Sequence, residues 1–298
     1  MTTNGAAILP PGIRALYPFD SHFLRVGAAG HRMHYLDEGT GPPLLMLHGN
    51  PTWSFYYRRL VQGLRDRYRC IVPDHIGCGL SDKPQQWGYH ISDHVANVCA
   101  LIERLDLRDA TLVVHDWGGP IGYLAALRNT ARFRRFVVFN SAVFLLPLPK
   151  LLLLLRLPVY GPLVVRGLNG FLRTGLWTAI ANRARFTGDV RAGYLFPYDS
   201  WAHRVAILRF VQEIPLEQTH PNRGLLDELD RQLPALAGRP HLVIWGLQDP
   251  VFHRGFLEGW RQRVPNAEIH ALDGASHWVV DEAPERILAL MGEFLARG

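Results

Sequence analysis

The sequence predicts an α/β protein: a mostly parallel sheet flanked by helices, with one α-helical insert. Three observations predict it. Short apolar runs alternate with segments of helical spacing from about residue 20 to about 140, the strand pattern stops over 142–225, and it resumes beyond that point. Strand–helix alternation means βαβ units and a parallel sheet covered on both faces. A chain of 298 residues can hold one such core with an inserted subdomain. The expected division is a first core segment at 1–141, a helical cap at 142–225 and a second core segment at 226–298.

The elements follow in order. Residues 32–36 and 43–47 read as strands, the second ending at the turn His48-Gly49-Asn50-Pro51. Helical spacing covers 53–66, a buried strand 70–73, and a Gly-rich loop IGCGLSDKP follows. Then come a helix at 92–105, a strand at 111–115, a helix at 119–128 and a strand at 136–140. The insert carries Pro-broken apolar runs and helical spacing at 201–211. Strands at 241–245 and 268–271 and a helix at 284–296 close the chain. An insert in an open α/β sheet is expected at the carboxyl ends of the strands, where ligand sites lie.

Composition removes several classes. With 48% hydrophobic and 19% charged residues, the chain is neither disordered nor a coiled coil. Its formal charge of +6 is spread over scattered arginines, Lys83 and Lys150 being the sole lysines, so a nucleic-acid partner is not expected. Cys70, Cys78 and Cys99 make no disulfide framework and fit a reducing, cytoplasmic setting. The start MTTNGAAILPPGI lacks the pattern of a secretory signal. The greasiest stretch, 141–165, is interrupted by Lys150, Arg156 and several prolines, whereas a spanning helix needs about 20 apolar residues. No cofactor or metal is expected: there is no H-E-x-x-H, no paired C-x-x-C, no G-K-[ST] and no G-x-G-x-x-G opening a helix.

The chemistry concentrates in four places. VVHDWGGPIG puts Asp116 on a turn between a strand and a helix, where a side chain is thrust above the sheet edge. Helix capping is the plain alternative for such an Asp. Two further residues outweigh it: Asp249 in WGLQDP and His277 in GASHW each follow a late strand. Nucleophile, acid and histidine then occur in the chain order of strand-to-helix nucleophile enzymes. Asn50 in HGNP is expected to present a backbone and a side-chain N–H beside Asp116, and Trp117 an indole N–H, for a leaving group that gains negative charge. Asp74 and the glycines of IGCGLSDKP are assigned a loop-shaping role.

HGNPTWSFYYR, PDHIGCGLSDKP, VVHDWGGPIG, WGLQD and SHW together resemble the haloalkane dehalogenase branch, third subgroup, of the α/β-hydrolase superfamily. The resemblance implies an α/β-hydrolase fold with a helical cap. It implies Asp116 as nucleophile, His277 as base, Asp249 as its acid partner, and Asn50 with Trp117 as leaving-group donors. Within that branch PYDSWAHRVAILRFVQEIPL is similar to the lid of the β-lactone decarboxylases of bacterial long-chain olefin biosynthesis. That similarity implies conversion of cis-3,4-dialkyl β-lactones to cis-alkenes and CO₂, beside condensing, reducing and lactone-forming enzymes as partners.

The apolar insert favours the lactone reading, because burying each methylene contributes about 0.8 kcal/mol and long alkyl chains reward such a lid. Leu145, Leu148, Leu151 and Leu155 are the expected substrate contacts, with ordinary packing between cap helices as the alternative. Haloalkane dehalogenation through an alkyl-enzyme ester is the second reading. Epoxide hydrolysis is a third, with Tyr160, Tyr194 and Tyr198 as available acids, and a non-catalytic binding protein a fourth. Both routes of attack on a lactone, at the carbonyl or at the sp³ ring carbon, stay open. The apolar cap also raises self-association or peripheral membrane contact.

Overall fold

The computed structural model describes residues 8–297, the side chains of Lys150 and Leu151 excepted. Eight strands make one sheet: β1 (His22–Val26), β2 (His31–Glu38), β3 (Pro43–Leu47), β4 (Arg69–Pro73), β5 (Ala110–His115), β6 (Phe133–Phe139), β7 (His241–Gly246) and β8 (Glu268–Leu272). Their spatial order is β1-β2-β4-β3-β5-β6-β7-β8, with β2 antiparallel to both its neighbours and every other pairing parallel. The chain goes from β3 outward to β4 and then returns to the other side of β3 to form β5. That reversal makes the carboxyl ends of β3 and β5 the switch point, where an open α/β sheet has its crevice.

The central strands are apolar in unbroken runs because helices cover both faces of the sheet. Leu44, Met46, Val113 and Val137 join one buried cluster, while Leu45, Leu47, Val114 and Val138 join the other. Successive residues of a strand point to opposite faces, so one run of sequence supplies both cores. β1 was not among the expected strands. It pairs with β2 through a turn at 27–30 and is largely half-exposed, so it shows little of the apolar signal of a central strand. The helical spacing at 53–66 resolves into a 3₁₀ turn, Ser54–Tyr57, and a helix, Arg58–Leu64.

Between residues 142 and 225 the described chain contains helices and no strand, including Gly170–Thr178, Gly188–Leu195 and Val205–Gln212. Val205–Gln212 buries Ile207, Phe210 and Val211 and turns Arg209 outward, the pattern of a helix lying on a core. The helix Pro221–Gln232 runs through residue 225 and packs on Gly118–Arg128, so the core surface is regained within it. Leu157, Val159, Leu163, Leu168 and Trp177 of the insert are exposed. Among the described residues no helix is long and apolar enough to cross a membrane.

Candidate active site

β5 ends at His115, and Asp116 takes a left-handed backbone with φ of 50° before the helix Gly118–Arg128 begins. A non-glycine residue in that region costs about 1–3 kcal/mol, and the surroundings hold it there. Ser141 Oγ donates to the Asp116 carbonyl at 2.6 Å, and the Asp116 N–H donates to the Asn140 carbonyl at 3.2 Å. Two glycines permit the approach of β3: a Cβ on Gly118 would lie 2.1 Å from the Leu47 carbonyl oxygen, and one on Gly49 would lie 2.1 Å from Asp116 Oδ1.

The loop after β7 carries Asp249 and the segment after β8 carries His277. His277 Nδ1 donates to Asp249 Oδ2 at 2.8 Å. Asp249 accepts three more bonds: from Asn140 Nδ2 at 2.9 Å, and at Oδ1 from the N–H groups of Val251 (2.7 Å) and Phe252 (2.9 Å). The Phe252 ring stacks parallel to the imidazole at 5.8 Å. His115 Nε2 donates to the His277 carbonyl at 2.8 Å. Proton and ring plane of His277 are thereby fixed, and its Nε2 faces Asp116 Oδ2 at 4.0 Å. That separation is too long for a hydrogen bond and suits a carboxylate that needs no deprotonation to attack.

Asp116, Asp249, His277 and Asn50 are each more than nine-tenths buried. Burial pushes Asp116 above the ordinary carboxylate pKa, against the opposing pull of His277 and of the N–H groups of Trp117 and Asn50. For His277, burial works against the charged form, but the carboxylates of Asp249, Asp116 and Glu282 outweigh it and raise its pKa.

Asn50 acts in two directions. Its backbone N–H donates to Asp116 Oδ1 at 2.6 Å, as expected from the HGNP turn. Its side chain also reaches the cap: Nδ2 donates to the Ile207 carbonyl at 3.1 Å, which leaves one amide hydrogen for the cavity. Trp117 lines the cavity directly.

The cavity beneath the cap measures about 320 Å³ and is bordered by Asn50, Asp116, Trp117, His277 and Leu155. Leu145 and Leu148 border a neighbouring cavity of about 90 Å³ that also reaches Asp116 and Trp117. The Leu151 side chain lies outside the described residues. Of the cap tyrosines, Tyr160 borders the larger cavity, whereas Tyr198 donates to the Thr52 carbonyl and Tyr194 to Asp281. Two of the three acids an epoxide opening would call on are therefore committed elsewhere. Among the described residues no cluster of His, Cys, Asp or Glu could hold a metal ion.

Two residues of this constellation escaped the sequence reading. Asn140 directly follows the apolar run of β6, the signal that singled out Asp116, and its amide also spans both backbone groups of Gly246. Glu282 accepts from Ser276 N–H at 2.7 Å and from the cap N–H groups of Ala181 (2.5 Å) and Asn182 (2.7 Å), clamping the cap to the His277 loop. No local pattern marks it. Asp74 has the loop-shaping part expected of it, accepting from Ser54 N–H (2.6 Å) and Leu80 N–H (2.9 Å).

The sequence pattern of the α/β hydrolase fold family matches residues 42–284, most of the chain. The chain belongs to that family. Within the α/β-hydrolase fold family it is 41% identical to the cis-3-alkyl-4-alkyloxetan-2-one decarboxylase of Shewanella oneidensis, over 94% of this chain and 89% of that protein. The enzyme of the same name from Xanthomonas campestris pv. campestris is 40% identical, over 90% of this chain and 93% of that one. Among solved structures, the haloalkane dehalogenase DatA of Agrobacterium tumefaciens C58 superposes with a TM-score of 0.82 at 28% identity, covering 93% and 96% of the two chains. Sequence likeness thus points to the first group, and the likeness of fold extends to the second.

Proposed function

We propose that the protein is a cofactor-independent lyase that decarboxylates cis-3,4-dialkyl β-lactones (oxetan-2-ones) to cis-alkenes. The observation that carries the reading is the near full-length 41% identity to a decarboxylase of that substrate class. The site is compatible with it: the Asp116 carboxylate opens into a cavity whose walls are mostly apolar.

The chemistry proceeds through Asp116 without water. One carboxylate oxygen attacks the ring carbon that bears the ring oxygen, C4. The C4–O bond breaks, C4 inverts, and the freed carboxylate is received by the Trp117 indole N–H and the remaining Asn50 amide N–H. Inversion leaves the new C4–O(Asp116) bond antiperiplanar to the C3–carboxylate bond with no rotation. Loss of CO₂ sends the C3–C electron pair into the C3=C4 bond as Asp116 departs as a carboxylate. Inversion followed by anti loss is syn overall, so cis substituents give a cis-alkene. His277, whose pKa its carboxylate neighbours raise, faces the departing Asp116 carboxylate with its Nε2, and the reaction calls for no net proton.

The test supplies purified protein with a cis-dialkyl β-lactone in H₂¹⁸O and follows alkene, CO₂ and the mass of the Asp116 peptide. Alkene with no ¹⁸O in Asp116 is the expected result; Asp116→Asn should form none. Haloalkane dehalogenation is the second reading, favoured by the structural likeness to DatA. There a water activated by His277 would hydrolyse the alkyl ester, and ¹⁸O would enter Asp116 with each turnover. Bromide release from 1,2-dibromoethane with a labelled Asp116, and no alkene from the lactone, would reverse the assignment.

A further inference from the structure

Asp116 and Trp117 stand at a fork. The cavity of about 320 Å³ leaves them beneath the cap past Leu155, Val164 and Phe171. The cavity of about 90 Å³ leaves the same two residues among Ala142, Phe144, Leu145 and Leu148. Leu152, Ile214 and Val251 border both. Asn50 and His277 border the larger cavity alone among the two. Both branches are therefore apolar, both reach the reacting carboxylate, and they differ more than threefold in volume.

A substrate with one alkyl chain needs one such branch. A cis-3,4-disubstituted lactone has chains on adjacent carbons of one ring face, and they leave the reacting centre side by side. We propose that the two cavities are separate subsites for the two chains of one lactone, the longer chain in the large branch and the shorter in the small one. Leu152, Ile214 and Val251, which border both cavities, would lie between the chains. The proposal deepens the decarboxylase reading and rests on it.

Its consequence is directional. Asp116 is fixed by its turn and by the Asn50 N–H, and the ring carbon under attack must face it. The chains cannot exchange branches without carrying that carbon away from the carboxylate. The protein should therefore distinguish two regioisomers of the same composition, a cis-3-octyl-4-methyl and a cis-3-methyl-4-octyl β-lactone. Each methylene buried in an apolar branch changes binding about fourfold, and a chain stopped by the small branch forfeits that factor for every methylene left outside.

The experiment measures kcat/KM for both regioisomers with wild-type protein and with two variants that widen the small branch, Leu145→Ala and Leu148→Ala. Both leucines are half-buried, and a general loss of folded protein lowers both isomers together, so the ratio is the readout. The wild-type ratio should be at least about tenfold, and at least one variant should shrink it about fourfold or more by admitting the octyl chain to the small branch. Regioisomers turned over at equal rates, or a ratio that neither variant moves, overturns the two-subsite assignment while leaving the decarboxylase reading intact. If no β-lactone of either pattern gives alkene, the decarboxylase reading fails and the assignment falls with it.

Discussion

Replacing Asp249 by Asn tests the hydrogen-bonded support of His277. The new amide keeps an acceptor for the N–H groups of Val251 and Phe252, which both bond Oδ1. Its NH₂ group then takes the place of Oδ2, which receives His277 Nδ1 and Asn140 Nδ2. His277 can answer by shifting its proton to Nε2 and accepting at Nδ1. Asn140 cannot turn, because its amide also bonds the Gly246 carbonyl and N–H at 3.0 and 2.8 Å. One buried donor therefore faces another, at a cost of about 1–3 kcal/mol, and two charge-assisted bonds are lost. Relief from burying a charge offsets part, leaving an expected destabilisation of about 2–4 kcal/mol. His277 also loses the largest influence raising its pKa, so its titration moves downward and alkene formation falls. Urea denaturation measures the first effect and NMR titration of the imidazole the second. A variant within about 0.5 kcal/mol of wild type, with an unmoved His277 titration, would refute the reasoning.

Three further outcomes follow from the geometry. The acid limb of kcat/KM should lie above the pH expected of an exposed Asp, about 4: burial raises the pKa of Asp116, the carboxylate is the reacting form, and activity is lost as pH falls through that raised value. A pH–rate profile checks it. Arg58→Met should cost about 3–5 kcal/mol, since it strips the buried Asp281 of a partner held at 2.8 and 3.0 Å, and adding Asp281→Leu should recover part of the loss on denaturation. Gly193→Ala should cost about 1–3 kcal/mol in the same assay, because its Cβ would lie 2.3 Å from the ring of Phe55, which Trp53 stacks against.

Of the seven strands read from the sequence, the central five, β3 to β7, were the plainest, each a short apolar run buried almost throughout, and several helices beside them showed in their spacing. β1, the half-exposed edge strand HFLRV, was not read. The helices Pro221–Gln232 and Arg254–Arg263 escaped because charged and polar residues dominate them, although Leu226 and Leu229 in the one and Phe256, Leu257 and Trp260 in the other are buried at helical spacing. Asp116, Asp249 and His277 stood out because each follows a strand, and a parallel sheet delivers all such residues to one edge. Glu282 had no such marker, since its partners lie 6 to 101 residues away.

The sequence alone determined the class of sheet, the helical nature of the insert, and which polar side chains emerge at the carboxyl edge, because hydrophobic period and turn chemistry are local properties. Only the tertiary structure decided how the insert sits on that edge. It drew the Asn50 side chain to the Ile207 carbonyl, clamped Ala181 and Asn182 to Glu282, and left two cavities that both reach Asp116. Those features arise where surfaces far apart in the chain close on one another, and a cavity is the space such surfaces leave unfilled, which no single stretch of sequence encodes.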